Sequence, residues 1–189
     1  MRAEPKDTSE LVSQVIYGES FKIIEQRTNW SLIKLSFDNY NGWIDNKQLV
    51  EISKTVYDLT ISEANIYSSD LIEFIQINNK GLLTIPFGST LNSIKLFDHS
   101  FDGNTTKTVQ PKENLVKTSL LFINSPYLWG GRTPFGIDCS GFTQMIYKIN
   151  GYKIDRDAKD QVKTGASLSF IEESEPGDLA FFDNKEGDI

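Results

Sequence analysis

At Pro111 the hydrophobic pattern of this 189-residue chain changes period, and the change limits what each half can fold into. Upstream, no apolar set recurs at helical spacing. Short apolar runs alternate with turn residues instead: Leu11–Ile16, a turn at Tyr17-Gly18-Glu19, Phe21–Ile24, Asn29-Trp30, Leu32–Leu35, a turn over Asp38–Gly42, then Trp43-Ile44. Such spacing, with Trp30, Tyr40 and Trp43 in it, predicts short strands closing into a small barrel over residues 1–52. The first turn follows so soon after Met1 that a first strand is expected to be missing. Residues 53–108 repeat the texture: Ile72–Ile77, a hairpin signal at Asn78-Asn79-Lys80-Gly81, then Leu82–Ile85. Pro86-Phe87-Gly88-Ser89 echoes the Tyr17-Gly18-Glu19-Ser20 turn and predicts a second barrel. Phe97–Gly103 reads as a loop leading to a linker at Asn104–Lys107.

Downstream the period is helical. Leu115, Val116, Leu120 and Ile123 mark a helix that starts near Pro111, where a missing N–H does no harm, and ends before Ser125-Pro126. A loop over Trp129–Gly136 feeds a second helix, with Phe142, Met145, Ile146 and Ile149 on its apolar face and Gly151 as its stop. A third helix is expected over residues 157–163, stopped by Gly165. A turn at Glu175-Pro176-Gly177-Asp178, a buried-type strand over Leu179–Phe182 and a hairpin turn over Asp183–Gly187 complete the chain. A strand needs a partner for its ladder bonds, so the returning strand is expected to lie past Ile189.

Asp138-Cys139-Ser140 opens the second of these helices and holds the one cysteine. Unpaired N–H groups and the helix dipole favour negative charge there, which suits a thiolate nucleophile. A nucleophilic Cys needs a base within reach. The one histidine, His99, falls in a Gly/Asp/Ser-rich loop and reads as a solvated residue. One Cys and one His exclude an internal disulfide and a Cys/His metal cluster, and no metal or cofactor is expected. The net charge of −7 argues against nucleic acid as a partner. No apolar run is long enough for a membrane span. The compartment stays open between cytoplasm and cell envelope.

The N-terminal motifs Tyr17-Gly18-Glu19, Asn29-Trp30-Ser31-Leu32-Ile33-Lys34 and Tyr40-Asn41-Gly42-Trp43-Ile44 resemble a bacterial SH3-like domain. Tyr127-Leu-Trp-Gly-Gly-Arg132, Asp138-Cys139-Ser140-Gly141-Phe142, Arg156-Asp157-Ala158 with Gln161, and Glu175-Pro-Gly-Asp-Leu-Ala-Phe-Phe182 resemble the NlpC-type cysteine peptidases. The resemblance implies an α+β chain: two small SH3-like β-barrels (residues 1–52 and 53–108), followed by an incomplete papain-like domain (residues 109–189). It further implies a γ-D-glutamyl-L-diamino-acid endopeptidase, whose substrate is a murein-derived wall peptide with a free N-terminal L-Ala. Cys139 then matches the nucleophile and Asp138 an anchor for the substrate amine. Ser140 and Asp157 match positions lining the cleft. Tyr40 and Glu10, with Glu19 as the alternative acid, match residues lent by the first SH3-like domain. Ala158 stands where the family often has Ser. The family's histidine follows the Leu179–Phe182 strand and its hairpin and is absent from these residues. An inactive wall-peptide-binding fragment is therefore the alternative reading.

Overall fold

The computed structural model describes residues 1–78, 81–187 and 189. Its N-terminal part is an antiparallel meander of β1 (Phe21–Gln26), β2 (Trp30–Leu35) and β3 (Asn41–Asp45). Pairing of Phe21 with Leu35 and of Leu32 with Trp43 sets the register. Alternation along β2 turns Ser31, Ile33 and Leu35 inward, where Ile33 and Leu35 meet Ile44 and Met1. The strand expected at Leu11–Ile16 reduces to one bridge between Leu11 and Arg2, which also bridges Trp43. The amide of Ile16 is spent on the Glu19 carboxylate (3.0 Å) rather than on a neighbouring strand.

The next segment departs from expectation at once. Residues Lys54–Ser62 form a helix, α1, capped by Ser53, whose Oγ accepts from the Val56 amide. No residue of α1 is buried, so no apolar period marks it in the sequence. Its Tyr57 and Thr60 hydroxyls bond Ser36 and Ser20 of the meander. Beyond it, β4 (Tyr67–Ser68) pairs with β8 (Thr105–Thr106). β5 (Ile72–Ile77) lies between β6 (Gly81–Pro86) and β7 (His99–Ser100). The tip of the expected hairpin, Asn79-Lys80, lies outside the described residues. Ile75, Ile85 and Leu91 form the core here, with Tyr17 of the meander packed against them. Gly18, at φ +77°, makes that approach possible: a Cβ there would sit 1.8 Å from the Thr90 carbonyl oxygen.

Among the described residues no closed barrel of the expected kind is found. Among them the strands make three-stranded sheets and two-stranded ribbons, and the outer edge of β3 meets Arg2, whose amide and carbonyl pair with those of Trp43. The fold is a mixture of small sheets and helices.

In the C-terminal part, α2 (Glu113–Ser119) runs into a 3₁₀ turn at Leu120–Phe122. Of the apolar positions read for it, only Leu115 is buried. Val116, Leu120 and Ile123 face solvent, and Phe122 enters the core instead. β9 (Arg132–Thr133) and β10 (Gly136–Ile137) pair within the glycine-rich loop. α3 (Cys139–Ile149) ends at Gly151 with bonds from the Gly151 amide to Lys148 and from the Tyr152 amide to Tyr147, a Schellman stop. α4 is shorter than expected, Ala158–Gln161. One core joins both parts: Tyr67 and Phe87 pack with Phe122, Ile137 and Ile149, and Phe122 meets Phe87 and Phe142 edge to face. Leu179–Phe182 is not a strand. Nothing pairs with it among the described residues, and Phe182 is 84% exposed.

Candidate active site

Cys139 is the first residue of α3 and is exposed, while its neighbours on both sides are buried. Asp138 caps the helix: its Oδ1 accepts from the Gly141 amide at 2.7 Å. Gly141 must be glycine, because a Cβ would lie 2.3 Å from the Gly131 carbonyl oxygen. The helix start is thus pressed against the glycine-rich loop. Among the described residues the Cys139 amide, in the first turn of α3, has no hydrogen-bond partner.

Asp138 is more heavily engaged than a substrate anchor would be. Its Oδ2 accepts from the Gly130 amide (2.8 Å) and from Arg156 Nη2 (2.7 Å), and its Oδ1 also accepts from Arg156 Nη1 (3.1 Å) and the Ser140 hydroxyl (3.3 Å). Both partners of this forked ion pair are buried. The expectation that Asp138 receives the substrate amine meets a physical obstacle: its acceptor positions are filled. Ser140 is occupied likewise, taking a bond from Arg156 Nη1 at 2.9 Å. Its carbonyl accepts from Gln161, which ties α4 to the head of α3. Arg156 reaches on to Ser13 of the N-terminal meander. Sequence spacing assigned Arg156 no role, although it adjoins Asp157 within one motif.

The other candidates gather at the same end of α3. Tyr40 donates a long hydrogen bond, 3.4 Å, to Asp157 Oδ2, bringing the N-terminal meander against the residue that caps α4. Burial and then the Asp157 charge raise the Tyr40 pKa, and burial raises that of Asp157. Both groups therefore carry their protons more readily than in water. Glu10 is exposed and accepts from Trp129 Nε1 at 2.6 Å, so it lies on the loop that leads to Cys139. Tyr127, also exposed, has its hydroxyl pKa raised by partial desolvation and then by the Cys139 and Asp138 charges beside it. Trp43 is a core residue, whereas Trp129 is 61% exposed.

Glu19, the alternative acid, is somewhere else chemically. Its side chain is 3% exposed and bridges Arg132 Nη2 (2.9 Å) and Lys148 Nζ (2.7 Å). Burial alone would raise its pKa, but the two cations overcome that and hold it at about 2. Glu19 has no face left for a ligand. His99 is engaged away from the thiol, its Nδ1 hydrogen-bonded to the Tyr17 hydroxyl at 2.8 Å and its ring between Tyr17 and Phe97. It lines a cavity of about 1220 Å³ with Tyr17, Phe21, Trp43 and Tyr57, and Cys139 is not on that wall. No cluster of His, Cys, Asp and Glu that could hold a metal occurs among the described residues.

The chain matches known proteins along two stretches. Residues 124–188 match the NlpC/P60 family, and residues 1–49 match the bacterial dipeptidyl-peptidase Sh3 domain. The γ-D-glutamyl-L-lysine dipeptidyl-peptidase of Bacillus subtilis (strain 168) is 33% identical over 93% of this chain, which spans 65% of that relative's length. Dipeptidyl-peptidase 6 of Lysinibacillus sphaericus is 27% identical, covering 95% of this chain and 77% of that protein. The fold resembles the crystal structure of an NlpC/P60 family protein from Bacillus cereus ATCC 10987. The TM-score is 0.76 at 23% identity, over 93% of this chain and 66% of that one. With the capped Cys139 helix in one stretch and Tyr40 in the other, the chain carries a bacterial dipeptidyl-peptidase Sh3 domain over residues 1–49 and an NlpC/P60 domain over residues 124–188.

Proposed function

We propose that this chain is the working part of a cysteine peptidase acting on murein-derived peptides that bear a free N-terminal L-Ala, cutting between γ-D-Glu and the diamino acid. The relative from Bacillus subtilis carries that bond in its name, with lysine as the diamino acid. The observation that carries the reading is the exposed Cys139 on a buried, immobilised helix cap, with Tyr40 of the N-terminal domain reaching Asp157 at the same helix end.

In this mechanism the Cys139 Sγ attacks the γ-carbonyl carbon of D-Glu. The oxyanion takes a hydrogen bond from the Cys139 amide. The C–N bond breaks, the proton given up by the Cys139 thiol passes to the leaving nitrogen so that the diamino acid departs as an amine, and water then hydrolyses the thioester to release L-Ala-γ-D-Glu and restore the thiol. The substrate's ammonium group is met by acceptors that the fold leaves accessible: the Glu10 carboxylate, the Tyr40 oxygen and Asp157. Asp138 and Ser140 hold the helix head rather than the ligand. Residues 1–52, 53–108 and 109–189 serve as the two SH3-like units and the catalytic unit.

A second reading, a wall-peptide-binding chain that does not cleave, is favoured by His99, whose Nδ1 is bonded to Tyr17 and not to Cys139. Incubation with L-Ala-γ-D-Glu-L-Lys and with the diaminopimelate analogue, following released L-Ala-γ-D-Glu, separates the two. Release that is abolished by Cys139→Ala supports the peptidase. Binding of the free-amine peptide without release supports the second reading. Neither binding nor release would sink both.

A further inference from the structure

Ser140, Gln144 and Lys148 recur every fourth residue along α3, on one side of the helix, and all three are buried: 9%, 0% and 1% exposed. A solvated polar face would explain that spacing in a sequence. Here the stripe is covered by the N-terminal domain, and each member is answered from it. Ser140 reaches it through Arg156, whose Nε donates to Ser13 Oγ at 3.2 Å. Gln144 Nε2 donates to Asp38 Oδ2 at 2.8 Å. Lys148 Nζ donates to Glu19 Oε1 at 2.7 Å and to the Gly88 carbonyl at 3.1 Å, over the rings of Phe37 and Tyr67.

The middle contact has a direct consequence for the site. Asp38 Oδ1 accepts the Tyr40 amide at 2.9 Å, so one carboxylate is held by α3 on one oxygen and holds Tyr40 by the other. Between them Asn39 sits at φ +62°, in the left-handed region, which makes this a tight turn with a fixed exit direction. Cys139 and Gln144 belong to the same helix, little more than one turn apart.

We infer that the buried stripe Ser140–Gln144–Lys148 registers the N-terminal domain on the nucleophile's helix, and that Gln144 and Asp38 are positioning residues that set Tyr40 relative to Cys139. What Tyr40 then reads, the free amine of the substrate, rests on the function proposed above. The stripe makes one rigid element the reference for both the bond broken and the end of the substrate selected. Gln144 fits a positioning role better than a stabilising one. Its Oε1 is buried and has no partner among the described residues, so an apolar side chain of its size would remove an uncompensated cost.

The test compares the full chain with Gln144→Met, with Asp38→Asn as the second variant and Ile146→Val as a control on the apolar side of α3. Loss of a hydrogen bond to a carboxylate is expected to speed amide hydrogen exchange at Tyr40 about tenfold in Gln144→Met. The preference for L-Ala-γ-D-Glu over its N-acetyl form, read by calorimetry, should fall by a similar factor. Alkylation of Cys139 by iodoacetamide should keep its rate. Ile146→Val should change neither Tyr40 exchange nor the preference. Unchanged exchange at Tyr40 in both variants, or equal acceleration in the control, overturns the inference. Should the unaltered chain itself show no preference for the free amine, the proposed substrate fails, while the exchange at Tyr40 still decides the registering role.

Discussion

Replacing Glu19 by Gln keeps the side-chain shape and removes the carboxylate that bridges two buried cations. The magnitude follows from the structure. Glu19 has its pKa moved from 4.5 to about 2, a preference for the charged state of about 3 kcal/mol at one pH unit per 1.36 kcal/mol. Removing one member of a buried ionic network typically costs about 3–5 kcal/mol, because the remaining charges lose their compensation. Here Arg132 and Lys148 are left, and burial already pulls the Lys148 pKa down. Urea unfolding followed by tryptophan fluorescence should therefore show a loss of about 3 kcal/mol, equivalent to roughly 10 °C in Tm for a chain of this size. The pH dependence gives an independent check. A carboxylate with a depressed folded pKa contributes its stability above the unfolded value and loses it as pH falls through the folded one. The difference between the parent and Glu19→Gln should be complete above about pH 5 and should close as pH falls from 4.5 toward about 2. Lys148→Met, which leaves a one-to-one pair of Glu19 and Arg132, should cost less than Glu19→Gln. A loss below about 1 kcal/mol, the level of an exposed ion pair, or a difference that does not narrow in acid, would refute the reasoning.

Other consequences are as direct. Arg156→Met should lower stability by about 3 kcal/mol by leaving Asp138 buried without its cation, and should slow Cys139 alkylation as the helix head loosens; unfolding curves and iodoacetamide kinetics measure the two effects. Tyr40→Phe should raise KM for the free-amine peptide about fivefold with kcat little changed, since it removes one hydrogen bond of about 1 kcal/mol remote from the bond broken. Because burial raises the Asp157 pKa, binding of the ammonium group should weaken at a higher pH than an ordinary carboxylate would give, and Asp157→Asn should flatten that acid limb in a KM–pH profile. Gly141→Ala should abolish activity and cost about 3 kcal/mol, as its Cβ would overlap the Gly131 carbonyl; circular dichroism melts and dipeptide release test it.

Local chemistry makes much of this chain legible from residue order. The β1–β3 meander follows from alternation and turn residues, and α3 from its apolar period and its Gly151 stop, all set by near neighbours. α1 escapes such patterning because it buries nothing: Leu59 and Ile61 are exposed, and a helix held by Ser53 and two hydroxyl contacts leaves no hydrophobic period. Closed barrels, not found among the described residues, are a related case. Closure is decided by long-range strand pairing, which short runs such as Leu11–Ile16 do not encode. Arg156 is within reach of sequence reasoning, since an Arg next to Asp157 in the same motif is a candidate partner for the lone Asp138-Cys139 pair.

The sequence by itself determined that Cys139 starts a helix and that the chain joins a strand-rich half to a helical one, because each rests on spacing within a few residues. Tertiary structure alone decided what the polar side of that helix is for. Ser140, Gln144 and Lys148 stand at helical spacing, and spacing alone does not say what covers them. Only the packed N-terminal domain brings Asp38 and Glu19 to Gln144 and Lys148, and Ser13 to the Arg156 that holds Ser140, so a buried charge or amide takes its meaning from a partner more than 100 residues away.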